Sequence, residues 1–178
     1  MGEHEIIVWS KDRKLNWSDF KAESNPAVFE DSHSVIKYRY TWVVNSEKIG
    51  DTIMFFIENI QLFVEFHPLL SWVRNSIEQD KLLNHEQGRF DLAELIKQEK
   101  ISKLCEIFYG KKFPTRGSNE EQRKQFAKED SGNMIGSEVK KLESEFQSQS
   151  NEYDLQTDYG KNIEKQFEFD LTFDKLRK

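Results

Sequence analysis

Apolar and polar positions alternate through residues 36–44: Ile36, Tyr38, Tyr40, Trp42 and Val44 fall on one parity, Lys37, Arg39 and Thr41 on the other. A period of two is that of a strand with one face against a core. Ile53, Phe55 and Ile57 carry the same period, and Ile60, Leu62, Val64 and Phe66 resume it on the opposite parity after Glu58-Asn59. Side chains alternate strictly between faces, so that change of phase requires a bulge or turn. Between the two runs lies Lys48-Ile49-Gly50-Asp51, whose Gly-Asp pair suits a tight connection and predicts an antiparallel hairpin. The sheet should end at His67-Pro68, because proline supplies no amide to a ladder.

Beyond that point the period becomes helical. Ser76-Ile77-Glu78-Gln79 has the spacing of a capping box and predicts a helix from there to about Gln98. Gly110 and Pro114 should break the next helical stretch, and the polar run from Ser118 to Gly136 reads as a mobile loop with few apolar anchors. Val139, Leu142, Phe146 and Tyr153 recur at helical spacing. Ile163, Phe167, Phe169, Leu171, Phe173 and Leu176 predict a last helix with a broad apolar side, read as core because burying each large apolar side chain is worth about 1.5–3 kcal/mol. The order of elements predicts an α+β fold, a sheet packed against a helix with further helices following, in one domain spanning residues 1–178.

Composition narrows the classes of function. Charged residues make up 33% of the chain, 14 phenylalanines supply much of the apolar content, and mean hydropathy is -0.77. A net charge of -6 with no concentrated basic face argues against a nucleic-acid partner. The lone Cys105 forms no disulfide within the chain and no thiolate cluster, and its apolar surroundings read as core. Trp17, Trp42 and Trp72 read as core anchors, and His4, His33 and His67 as surface residues. Ile6-Ile7-Val8-Trp9 is too short for a secretory apolar segment or a membrane span. The chain is expected to carry no signal peptide, but a secreted or lipid-anchored parent trimmed to this start leaves localisation open, with the cytoplasm as the alternative.

Candidate chemistry is confined to Leu82-Leu83-Asn84-His85-Glu86-Gln87-Gly88-Arg89-Phe90-Asp91. In a zincin helix two histidines four residues apart bind zinc from one face, and the glutamate after the first activates the metal-bound water. Here Arg89 stands where the second histidine would be, and a guanidinium has no lone pair for a metal. Three further segments accompany this one: Leu15-Asn16-Trp17-Ser18-Asp19-Phe20, Phe66-His67-Pro68-Leu69-Leu70-Ser71-Trp72-Val73, and Tyr153-Asp154-Leu155-Gln156-Thr157-Asp158-Tyr159-Gly160 with Gln166 and Phe169 downstream. In this order the four segments resemble a bacterial domain-of-unknown-function family of secreted, HExxH-type zinc-dependent proteases. Tyr159 falls where that family has another histidine.

The resemblance implies a zincin-like sheet-and-helix fold, with His85 as the first zinc ligand and Glu86 as the general base, both vestigial here. Arg89 and Tyr159 occupy the other two ligand positions, and Asp91 and Asp158 are expected to support the site from behind. It also implies a secreted or periplasmic protein. One histidine is too few to hold a catalytic zinc, which ordinarily has three protein ligands, so no cofactor is expected, zinc included. Three readings follow: a catalytically silent relative kept as a binding or structural module, with a protein or peptide as partner; a hydrolase with altered chemistry or an improvised metal set of His85, Asp158 and Tyr159; or an unrelated α+β interaction domain.

Overall fold

Strand β3 (Ile36–Ile49) and strand β4 (Thr52–Phe66) form the expected long antiparallel hairpin, turned at Gly50, whose φ of 62° lies in the left-handed region. The computed structural model describes residues 5–74 and 79–178. Across the hairpin Thr41 pairs with Gln61 and Val43 with Glu58, so Asn59 and Ile60 together face Trp42. This is the bulge that the change of phase required, with Asn59 at φ 50°. It keeps Phe55 and Ile57 on the same buried face as Ile60, Leu62, Val64 and Phe66. Strand β4 is central. Strand β1 (Ile7–Val8) pairs with its Glu65-Phe66 end, and strand β6 (Phe113–Pro114) with its Met54-Phe55 end. A separate two-stranded ribbon joins β2 (Ser32–His33) to β5 (Trp72–Val73), after a 3-10 turn at Pro68–Leu70 has ended the main sheet.

Helix α1 (Asp80–Phe108) packs on β4 and buries its apolar face there: Phe90, Ala93 and Ile96 are fully buried against the sheet. Aromatic rings from three of the motif segments meet at this layer, Phe66 lying 5.1 Å from Phe20 and 5.9 Å from Phe90 between centroids. The Leu15 amide donates to Gln87 Oε1 at 2.6 Å, fixing the first motif segment to the helix. The helix continues ten residues past Gln98, because Ile101, Leu104 and Phe108 extend its apolar stripe and Gly110, at φ 75°, is the first residue to turn the chain away. The proposed capping box at Ser76 lies outside the described residues, as does His4.

The polar run 118–136 is not a loop. It is the first half of helix α2 (Glu120–Thr157), capped by the Asn119 side chain accepting from the Gln122 amide at 2.9 Å. Its few inward residues suffice: Ser131 accepts from Trp42 Nε1 at 2.8 Å, Gly132 lets the helix approach the Trp42 ring, and Ile135 is fully buried. Helix α3 (Ile163–Asp174) then packs on α1 and α2 through Phe173 and Gln166. Its expected broad core side is narrower in fact, since Ile163, Phe167 and Leu171 are exposed. Trp72 is buried and Trp17 and Trp42 are packed against the core, as is Cys105 in part. His67 is half-buried, not a surface residue: burial first, then Lys37, lowers its pKa against an opposing pull from Glu65. No helix among the described residues is long and apolar enough to cross a membrane.

Candidate functional site

One face of α1 forms the floor of a groove of about 980 Å³. One wall comes from residues 29–37, around β2. The other comes from the second half of α2 and the turn at 158–161 that follows it. His85, Glu86 and Arg89 lie on the floor, the first two within 2% of complete burial.

Each nitrogen of the His85 ring is engaged. Nε2 lies 2.9 Å from Asp154 Oδ1, and Nδ1 lies 2.9 Å from Gln166 Oε1 and 3.3 Å from Thr157 Oγ1. The Gln166 amide is oriented by its own nitrogen, which donates to Tyr153 Oη and to Asp170 Oδ1, both at 2.9 Å, so its oxygen must face the imidazole. Thr157 spends its hydroxyl proton on the Tyr153 carbonyl at 2.7 Å and likewise offers His85 a lone pair. The Tyr153 ring stacks on the imidazole with centroids 4.4 Å apart and planes 4° from parallel, and its hydroxyl donates to the His85 carbonyl at 2.8 Å. Gly160 closes the pocket. At φ 89°, a Cβ there would stand 2.9 Å from that of His85.

Arg89 fills the space one helical turn further on. Its Nη1 and Nη2 grip Asp154 at 3.0 and 2.6 Å, Nη1 also donates to Ser150 Oγ at 2.6 Å, and Nε donates to Glu86 Oε2 at 3.2 Å. Glu86 takes two more hydrogen bonds from the other wall, from Ser32 Oγ at 2.9 Å and from Ser34 Oγ. Burial by itself would raise the Glu86 pKa, but Arg89, His85 and the two hydroxyls outweigh it and hold the carboxyl below its ordinary range. Asp154 is depressed for the same reason, burial being overcome by the bonds to His85 and Arg89. The guanidinium is correspondingly raised, the carboxylates prevailing over burial.

The remaining sequence candidates divide. Tyr159 does reach the groove, with its ring centroid 6.4 Å from that of His85, although the residue is 42% exposed. His85, Arg89 and Tyr159 thus converge from distant positions in the chain. Asp158, the left-handed residue ending α2, is exposed on the rim, and the carboxylate that holds His85 is Asp154, one turn earlier. Asp91 does not support the site at all. Six residues on from His85, the helix has turned it by about 240°. There it accepts from Trp9 Nε1 at 2.8 Å, Gln87 Nε2 at 2.9 Å and both terminal nitrogens of Arg177 at 2.8 and 2.6 Å. Asp154, Ser150, Ser32, Ser34 and the role of Gln166 were missed. Ser150, Tyr153, Asp154 and Thr157 do share one face of a helix by their three- and four-residue spacing, the one signal that could have marked them.

Zinc, which the family resemblance implies, does not fit these side chains. Both ring nitrogens of His85 face oxygen acceptors of the protein, so neither turns a free lone pair to a metal, and a fixed guanidinium stands between the two nearest carboxylates, where it opposes a second cation. Among the described residues no three His, Cys, Asp or Glu side chains are grouped so as to hold a metal ion. Comparison of the chain with protein-family models, with curated proteins and with solved structures gives no match.

Proposed function

We propose that this chain is a catalytically silent relative of the zinc-dependent protease family, kept as a binding or structural module built round the groove. The observation that carries the reading is the position of Arg89: its guanidinium bonds Glu86 and Asp154 together beside a histidine whose two ring nitrogens are both taken. The meeting of the four motif segments around α1 supports the family relation, Leu15 through Gln87, Phe66 through Phe90, and Tyr153 to Gly160 through His85.

A general base works best with a pKa near the operating pH and a lone pair free to take a proton. Glu86 has neither property, being held low and covered by Arg89, Ser32 and Ser34. The floor therefore offers shape and charges bonded to one another rather than a free base. The cleft has room for a segment of a protein or peptide partner, its lining presenting apolar Val35, Ile36, Leu82 and Phe146 beside Lys37, Lys81 and Lys161. The test is elemental analysis of protein purified without chelator and dialysed, together with a general peptidase assay. The reading expects substoichiometric zinc and no turnover; one zinc per chain, or cleavage lost on adding a chelator, refutes it.

A further inference from the structure

The two walls of the groove are secured to the rest of the fold independently. Residues 25–35 are tied to the segment after the sheet: Arg74 donates to the carbonyls of Glu30 at 3.0 Å, Asn25 at 3.1 Å and Val28, and the Val35 amide donates to Ser71 Oγ at 2.9 Å. The opposite wall belongs to α2, which is held by Tyr153 to α1 and, through Gln166, to α3. One continuous chain of hydrogen bonds crosses the floor from wall to wall. It runs from Ser32 and Ser34 to Glu86, from Glu86 to Arg89, and from Arg89 to Ser150 and Asp154, where it joins His85.

We infer that Arg89 is a built-in cross-brace that sets the width of the groove by coupling the segment at Ser32–Ser34 to the α2 segment at Ser150–Asp154. That Arg89 stands where the family would share a metal rests on the silent-relative reading; the coupling itself rests on the bonds alone. A guanidinium suits this part. Its planar fork meets Asp154 with two parallel bonds while its Nε remains free for Glu86, so one side chain bonds two inward carboxylates on different elements. A lysine ammonium, a single point donor, reproduces the charge and not this geometry. The groove is accordingly preformed, and a partner entering it meets walls already at their bound spacing, with little ordering left to do.

The experiment is hydrogen exchange by mass spectrometry on the full chain, comparing wild type with Arg89→Met, Arg89→Lys and the double variant Ser32→Ala/Ser34→Ala. Arg89→Met should raise exchange at 30–37 and at 150–158 together, by about tenfold or more, with no such rise at 38–66 in the hairpin core. Arg89→Lys should retain part of the protection. The serine variant cuts the brace at its far end and leaves both ionic partners of Arg89 in place, so it stays informative even if Arg89→Met fails to fold. It should loosen 150–158, across the groove from the mutated side chains. If Arg89→Met loosens only one of the two segments, or the serine variant loosens only 30–37, the brace is overturned. Wild type is run in parallel with a chelator and with added zinc. Melting that shifts with either addition would sink the silent-relative reading while leaving the exchange result to judge the brace.

Discussion

Replacing Gly88 with alanine tests the packing that positions His85 without touching any charged group. A Cβ at Gly88 would stand 2.1 Å from Tyr153 Oη, 3.0 Å from its Cζ and 3.1 Å from Phe173 Cε2. Tyr153 would have to retreat by roughly 1 Å or more to reach ordinary contact. It is fully buried, stacked on His85, donating to the His85 carbonyl and accepting from Gln166, so retreat weakens all three contacts together. Overpacking of this kind costs about 1–3 kcal/mol, and each weakened hydrogen bond about 1 kcal/mol. Against this, alanine gains about 1 kcal/mol over glycine in a helix interior. The balance is a loss of about 2–4 kcal/mol, or about 4–16 °C in melting temperature for a chain of this size. Equilibrium denaturation followed by circular dichroism measures it. Tyr153→Phe removes the atom at 2.1 Å, so the double variant should recover about 1 kcal/mol or more relative to additivity. A Gly88→Ala protein as stable as wild type would show that helix propensity wins and that the close approach of α2 to α1 is not as described.

Arg177→Ala should destabilise by about 2–4 kcal/mol, because it strips a bidentate partner from the buried Asp91 carboxylate and leaves only Trp9 and Gln87 to satisfy it; denaturation read by tryptophan fluorescence checks this, and an unchanged midpoint refutes it. The acid limb of stability should reflect Glu86 and Asp154, whose folded-state pKa values lie below their ordinary 4.5 and 3.8. Their contribution is complete above the unfolded values and is lost as pH falls through the folded ones, so the midpoint should decline below about pH 4.5, and a flat profile down to pH 3 would contradict the shifts. Arg89→His combined with Tyr159→His removes the fixed cation and adds two imidazoles beside His85, so this variant should bind zinc where wild type does not; a metal-free double variant would deny that these positions mark an ancestral site.

Much of the frame could be read from local pattern. The parity change after Glu58-Asn59 implied the bulge opposite Trp42 and the Gly50 turn implied the hairpin, because side-chain period is a property of neighbouring residues, and the helix through His85 was expected from the capping-box spacing at Ser76 to Gln79. The four motif segments likewise named the parts of the chain that meet around α1. Other features were decided only by packing. The run 118–136 looked like a loop because its polar faces are solvated, and it is helical because Ser131, Gly132 and Ile135 find Trp42 and the sheet. Ile163, Phe167 and Leu171 stand exposed because α3 turns a narrower face to α1 and α2 than its composition suggested. At the site, Asp91 lies close to Arg89 in sequence and Asp158 beside Tyr159, yet Asp154 holds both His85 and Arg89. A charge acts on whatever lies within a few ångströms, and only the crossing of α2 over α1 determines which carboxylate that is.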